Sequence, residues 1–190
     1  MKRTALVASA ILMVLSASCG TPQPDAGDGF LCCNMRTDGE WISDSNYLES
    51  GKTMIPLGTP VSFMSYGSYR LNVVVNGRRQ AIGNDYSRDL AMDVFAKRYI
   101  VKLDPRPQVA AAPDKIRRAI ESARITPGMT REQVIVAMGY PMSSENPQLD
   151  APLWKYWLWS FSRFDVHFDG DGRVAKVASD AETLKIVYLP

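Results

Sequence analysis

The order of predicted elements in the last third of the chain constrains its fold more than any other feature. Hydrophobic periodicity predicts a helix over 116–123, a helix over 130–138 and strands over 154–161, 164–168 and 173–178. Two helices on one face of a three-stranded antiparallel meander is the layer arrangement that buries all of these apolar faces. The sequence therefore predicts an α+β domain here.

Local signals set the limits of the two helices. Pro127-Gly128 interrupts the first helical pattern. Thr130, with Gln133 three residues later, predicts a capping box at the start of the second helix. Gly139 stands where a left-handed C-cap is expected, and Pro141 prevents the helix from continuing.

Residues 30–104 predict a separate small β-rich domain with one helix. The β-rich run 69–75 is followed by Asn76-Gly77, the strongest short-range signal for a hairpin, so a returning strand is expected over 79–82. Apolar residues at helical spacing then predict a helix that ends near Lys97, with Ser87 as its N-cap.

Residues 105–112 are predicted to be the linker between the two domains, because they combine prolines with small residues. The second domain then covers residues 113–190. At its end, Leu184, Ile186 and Tyr188 alternate with other residues, which predicts one additional C-terminal strand.

The first residues of the chain predict export and lipid anchoring. A cationic start and an apolar run from Ala5 to Leu15 precede small residues and Cys19. The run is shorter than the roughly 20 apolar residues of a membrane-spanning helix. Residues 1–18 resemble a bacterial lipoprotein signal peptide, in which the Cys19 thiol is lipidated and the chain is cut before it. Residues 19–29 are polar and rich in Pro and Gly, which predicts a flexible tether.

The charge balance argues against a nucleic-acid partner. The chain has 22 basic and 20 acidic residues, and the expected signal peptide contains two of the basic ones, Lys2 and Arg3. The remaining 20 basic and 20 acidic residues leave a chain near neutrality without a dense cationic block. Membrane contact is expected through lipid on Cys19, and Gly20 after it favours, by resemblance to Gram-negative lipoproteins, the outer membrane.

Cys32 and Cys33 are adjacent, and three states remain open for them. They are two small, partly buried residues on a strand, a disulfide between neighbours, or the origin of an intermolecular bridge. An envelope enzyme with one of them as nucleophile is a further hypothesis. We expect no metal site and no cofactor, because His167 is the only histidine and no Cys-x-x-Cys spacing occurs.

A recognisable string lies in the second domain. It comprises Ile125–Val134 (ITPGMTREQV), Met138–Pro141 (MGYP), the Trp154-x-Tyr156 pair and Val166–Val174 (VHFDGDGRV). This string resembles the BamE family (SmpA/OmlA), small outer-membrane lipoproteins, over about residues 113–180. The resemblance implies a helix-helix-meander fold and a non-enzymatic role in envelope integrity, through the machinery that assembles outer-membrane β-barrels.

The aromatic strand is the candidate partner-binding element. Period-two alternation places Trp157 and Trp159 on one face and Trp154 and Tyr156 on the other. Aromatic residues on both faces predict an interface, so these four residues are the predicted partner-binding set. Packing against the first domain is the alternative explanation.

We therefore expect a lipid-anchored periplasmic binding or scaffold protein of the outer membrane, with an envelope protein as its partner and without enzymatic activity. The alternative is an inhibitor-like module that binds a periplasmic or secreted enzyme, as β-lactamase-inhibitor-like folds do.

Overall fold

An eight-stranded sheet dominates the N-terminal unit of the protein. The computed structural model describes residues 27–190. The strands of this sheet are β1 (Gly29–Leu31), β2 (Met35–Thr37), β3 (Trp41–Ser43), β4 (Thr53–Ile55), β5 (Pro60–Gly67), β6 (Arg70–Val75), β7 (Arg78–Gly83) and β8 (Ile100–Val101). Their order is β4-β2-β3-β7-β6-β5-β1-β8, with β3 and β7 parallel and the other neighbours antiparallel.

The predicted Asn-Gly hairpin is confirmed. Asn76 and Gly77 connect β6 to β7 and have φ angles of 51° and 73°. Two positive φ angles are the geometry of a type I′ turn, whose twist matches that of the strands beside it. Leu71, Val73 and Val75 alternate along β6 and are fully buried, so this hairpin supplies much of the first core.

The helix of this unit is α1 (Met92–Tyr99), which starts later than predicted. The prediction that Ser87 caps it is wrong, because the Ser87 hydroxyl instead accepts a hydrogen bond from the Ser143 backbone N–H at 3.1 Å. Phe95 and Tyr99 are buried beneath the sheet, with ring centroids 4.8 Å apart. The Ser87 side chain, which the sequence predicted as the cap, therefore contacts the second unit instead.

The predicted linker over 105–112 is instead folded. Its central part is a short helix, α2 (Arg106–Ala110). Val109 is buried in the core of the second unit together with Leu57 of the first. The burial of Val109 explains why the segment packs against the protein despite its prolines.

The C-terminal unit has the predicted order of two helices and three strands. Its elements are α3 (Asp114–Glu121), α4 (Arg131–Met138), β9 (Leu153–Trp159), β10 (Ser162–Phe168), β11 (Val174–Ala178) and α5 (Ala181–Val187). The strands form an antiparallel sheet in the order β11-β10-β9. The predicted α+β class is confirmed for this unit.

The capping box at the start of α4 is confirmed. The Thr130 hydroxyl accepts from the Gln133 N–H at 3.3 Å, and the Gln133 side chain accepts from the Thr130 N–H at 2.9 Å. Gly139, with φ of 88°, follows the last helical residue. The capping box therefore acts as the sequence indicated, but a ψ of 172° places Gly139 outside the left-handed helical region, so the predicted left-handed C-cap is wrong.

The predicted C-terminal strand over 184–188 is wrong, because most of this segment is the helix α5. The Asp180 carboxylate accepts from the Thr183 N–H at 2.9 Å and caps the helix. Thr183 and Val187, four residues apart, form its buried face. Extended pairing is limited to Tyr188, which bridges Ile125 after the helix has ended.

Asn34 joins the two units at their buried junction. Its side-chain amide donates to the carbonyl oxygens of Ile120 at 2.7 Å and Ala137 at 3.2 Å, and its side-chain oxygen accepts from the Leu57 N–H at 3.0 Å. The Asn34 backbone N–H donates to the Val136 carbonyl at 3.1 Å. The side chain is 2% exposed, so its polar groups are satisfied inside the protein.

Asn46 extends this junction to the end of α4. Its side-chain amide donates to the Met138 carbonyl at 2.7 Å and to the Asn34 carbonyl at 3.0 Å. Carbonyl groups in the last turn of a helix lack intrahelical partners. The N-terminal unit supplies partners for three of them in α4, which fixes this helix against the first sheet.

Several predictions concern the N-terminal part of the chain. The signal peptide over 1–18, the lipidation site Cys19 and the first eight residues of the tether lie outside the described residues. Within the tether's last residues, Gly29 already belongs to β1.

Cys32 and Cys33 lie in a bend after β1, are buried and are bonded to each other, so the adjacent disulfide is the state found.

Candidate protein-interaction surface

The aromatic strand β9 presents two different faces. Trp154, Tyr156 and Leu158 point towards the helices and are between 0% and 6% exposed. The prediction that Trp154 and Tyr156 bind a partner is therefore wrong. Helices α3 and α4 require large apolar residues on this face of the sheet, and these side chains form the core of the unit.

Close ring packing and one hydrogen bond hold the buried face. The Tyr156 ring stacks on Phe164 at 5.3 Å, and the Trp154 ring meets Phe168 edge-on at 4.8 Å. The Tyr156 hydroxyl donates to the Gly139 carbonyl at 3.0 Å. Burial raises the pKa of Tyr156 well above its usual value, so this donor stays protonated.

The opposite side of the sheet is partly open, and we call it the outer sheet face. It is formed by Leu153, Lys155, Trp157, Trp159, Arg163, Asp165, His167 and Lys176. Register places Arg163 opposite Trp157 and Asp165 opposite Lys155. Two half-buried tryptophans are thus surrounded by charged side chains, the composition typical of protein interfaces.

Local contacts orient the charged and aromatic groups on this face. The Trp157 indole N–H donates to Glu145 in the loop before β9, at 2.8 Å. The Arg163 and Asp165 side chains form a salt bridge at 3.1 Å. Fixed side chains lose less conformational freedom when a partner binds. Of the four predicted residues, Trp157 and Trp159 remain candidates.

Phe161 is a candidate that the sequence analysis missed. It lies between β9 and β10, at the tip of the hairpin, and is 94% exposed. The sequence predicts it as the last residue of the aromatic strand over 154–161. The signal that could have identified it is its position between Ser160 and Ser162, since small polar residues favour a turn.

The edge of β9 is covered by other parts of the protein. The Asn146 side chain exchanges two hydrogen bonds with the Lys155 backbone, at 2.8 and 2.9 Å. The Leu48 N–H of the first unit donates to the Leu158 carbonyl at 2.7 Å. Because these groups already have partners, contact through the face is favoured over addition of a strand at this edge.

The acidic segment 169–172 has a structural role. Asp169 accepts hydrogen bonds from the N–H groups of Asp171 and Arg173 and shapes the turn between β10 and β11.

Among the described residues, no group of three or more Asp, Glu, His or Cys side chains could hold a metal ion. No helix within residues 27–190 is long and apolar enough to cross a membrane.

The family comparison identifies the unit that carries the outer sheet face. Residues 118–178 match the family model of the outer membrane protein assembly factor BamE domain. The C-terminal unit carries a BamE domain. The match begins within α3, covers α4 and the three-stranded sheet, and stops before α5. No curated protein and no solved structure matches the chain.

The BamE domain does not stand alone in this protein. Contacts from Asn34 and Asn46 cover the C-terminal end of its helix α4, as described above. The Tyr140 ring beyond that helix meets Tyr99 of the first unit at 5.9 Å. The outer sheet face lies on the other side of the domain, so the N-terminal unit restricts where a partner can bind.

Proposed function

We propose that this chain is a lipid-anchored periplasmic scaffold protein of the outer membrane that contacts the machinery for outer-membrane protein assembly. The match of residues 118–178 to a BamE domain supports the protein-contact part of this proposal. The observation that carries it furthest is the outer sheet face with its half-buried Trp157 and Trp159, together with the almost fully exposed Phe161 at the adjoining hairpin tip. Trp and other large aromatic residues are enriched among the residues that dominate binding energy.

The charges of the outer sheet face indicate the kind of partner. Lys155, Arg163 and Lys176 lie on this face with the carboxylate of Asp165, and a second carboxylate, Glu145, reaches Trp157 from the preceding loop. Such a balance is complementary to an acidic protein surface, and rim charges mainly affect the association rate and its salt dependence. We therefore expect an acidic envelope protein whose binding weakens as salt rises.

Cys19 supports the membrane-anchored part of the proposal, because it ends a sequence that resembles a lipoprotein signal peptide. Cys19→Ser in the full-length chain tests it by fractionation. The unchanged protein should sediment with outer membranes, and the variant should be released into the soluble periplasmic fraction. Equal sedimentation of the two proteins would contradict lipid anchoring.

No catalytic role is proposed. Cys32 and Cys33 are bonded to each other, so neither offers the thiolate that a cysteine nucleophile requires. His167 lies on the outer sheet face opposite Leu153 and Lys176, without a neighbouring Ser or Cys. Inhibition of a periplasmic enzyme remains the second candidate, because the half-open aromatic face could equally cover an enzyme surface.

Co-purification from gently solubilised envelopes separates the two candidates. Tagged full-length protein should enrich outer-membrane assembly proteins, and Phe161→Ala should reduce that enrichment at least several-fold. Leu103→Ala is the matched control, because Leu103 is also highly exposed, at 84%, but lies in the N-terminal unit. Enrichment of a single soluble enzyme would favour the inhibitor role. Equal loss in both variants would contradict binding at the hairpin tip.

A further inference from the structure

A polar groove of about 490 Å³ opens at the seam between the two units. One wall consists of β3 and the loop that follows it, the other is the loop after β7, and Ser160 of the β9–β10 hairpin closes one side. The volume is within the range of about 300–1,000 Å³ that small-ligand sites occupy. We call this cavity the seam groove.

Buried hydrogen bonds hold the walls of the seam groove in place. The Asp44 carboxylate is 1% exposed and accepts from the backbone N–H groups of Asp85 at 3.2 Å and Tyr86 at 3.1 Å. The Ser43 hydroxyl lies 3.0 Å from the Ser45 hydroxyl and donates to Asp85 at 3.4 Å. Preformed walls lower the conformational cost of binding.

The charges in the lining are balanced. Lys52 pairs with Glu49 at 2.7 Å, and Arg70, behind the lining, pairs with Asp85 at 3.2 Å. The other two charged lining residues, Asp38 and Arg88, have opposite signs. The groove therefore favours neither a polyanion nor a polycation, although its side chains offer many hydrogen-bond donors and acceptors.

Aromatic rings line the same cavity. Tyr86 is 43% exposed, and its ring centroid lies 6.2 Å from that of Tyr47. Burial, together with the neighbouring Tyr86, raises the pKa of Tyr47 to about 12, so its hydroxyl remains protonated at neutral pH. Trp41 has one ring face covered by Arg70 at 4.1 Å. The tyrosines therefore offer the accessible apolar faces.

We propose that the seam groove binds a neutral saccharide chain. Sugars combine many hydroxyl groups with apolar C–H faces and no net charge, which matches hydroxyls, paired charges and tyrosine rings in one cavity. A peptide that binds by strand addition fits less well, because it would require an unpaired strand edge. Strand β3 is hydrogen-bonded on both sides, to β2 and β7, and offers no such edge along its length.

Calorimetric titration of the full mature protein with chitohexaose and maltohexaose tests this proposal. Saturable binding of at least one sugar is expected, and Tyr86→Ala should weaken it by up to about tenfold, the upper value of an aromatic contact. Met64→Ala is the control, because Met64 is 41% exposed and lies outside the groove. Its affinity should equal that of the unchanged protein.

Sedimentation with purified peptidoglycan sacculi and with lipopolysaccharide then distinguishes the natural sources. Retention by either material that Tyr86→Ala reduces supports the proposal and identifies which sugar polymer is bound. The proposal is overturned if neither hexasaccharide binds, if Tyr86→Ala binds as the unchanged protein does, or if only a mixed-charge hexapeptide binds.

Discussion

Removal of the Asn34 side chain tests whether the two units are energetically one structure. Asn34→Ala deletes hydrogen bonds to Ile120, Ala137 and Leu57 at a site that is 2% exposed. The Ile120 carbonyl keeps a second partner, the Ala123 N–H at 3.0 Å. The Ala137 carbonyl and the Leu57 N–H each lose the partner supplied by Asn34.

An unsatisfied buried polar group costs about 1–3 kcal/mol. Two such groups give an expected loss of about 3 kcal/mol in the free energy of unfolding, with a fall of about 6–12 °C in Tm for a protein of this size. Urea unfolding followed by tryptophan fluorescence measures the loss. Because three of the four tryptophans lie in β9, circular dichroism should be recorded in parallel to follow the first sheet.

Asn72→Ala is the matched control, because the Asn72 amide bonds to Ser65 at the surface of the first sheet. Its cost should stay within about 0.5 kcal/mol. The reasoning is refuted if Asn34→Ala costs no more than this control. It is also refuted if the unchanged protein already unfolds in two separate transitions, since the junction would then not couple the units.

Three further predictions follow from individual side chains. Burial, which outweighs the hydrogen bonds it accepts, raises the pKa of Asp44 from 3.8 to about 6, so the folded state retains a proton that the unfolded chain releases. The retained proton on Asp44 adds about 3 kcal/mol to the free energy of unfolding below about pH 4, and this stabilisation is lost as the pH rises through 6. Asp44→Asn should therefore flatten the pH dependence of urea unfolding between pH 4 and 7.5, and an unchanged slope would contradict this. Thr130→Ala should cost about 1 kcal/mol by removing the cap of α4. A loss below about 0.3 kcal/mol in urea unfolding, roughly one-third of a typical cap, would count against it. Gly83→Ala should destabilise the first unit in thermal melts, because its methyl group would collide with the Trp41 ring; a Tm equal to that of the unchanged protein would exclude the collision.

Local signals predicted much of the C-terminal unit. The capping box at Thr130 and the alternation along β9 each act within a few residues, and the structure follows them. The prediction failed where a short signal competed with tertiary contacts. Ser87 has the chemistry of a cap, but Ser143 of the other unit uses its hydroxyl.

Only part of the candidate site could be predicted from the sequence, because tertiary contacts decide which face of the strand is open. Alternation separates Trp157 and Trp159 from Trp154 and Tyr156, but it does not say which face the helices cover. The seam groove could not be predicted at all, because its lining comes from Asp38 to Ser160 and meets only in the folded protein. For α5, Asp180 with Thr183 was the helix signal that the alternating pattern obscured.

In-cell photocrosslinking is the most direct test of binding through the outer sheet face and the hairpin tip that adjoins it. A photoreactive amino acid replaces Phe161 in one strain and Leu103 in another, since both positions are highly exposed but lie in different units. We expect a crosslink from position 161 to a protein of the outer-membrane assembly machinery, and no such product from position 103. Crosslinks to that machinery from position 103 alone, or from neither position, would contradict it.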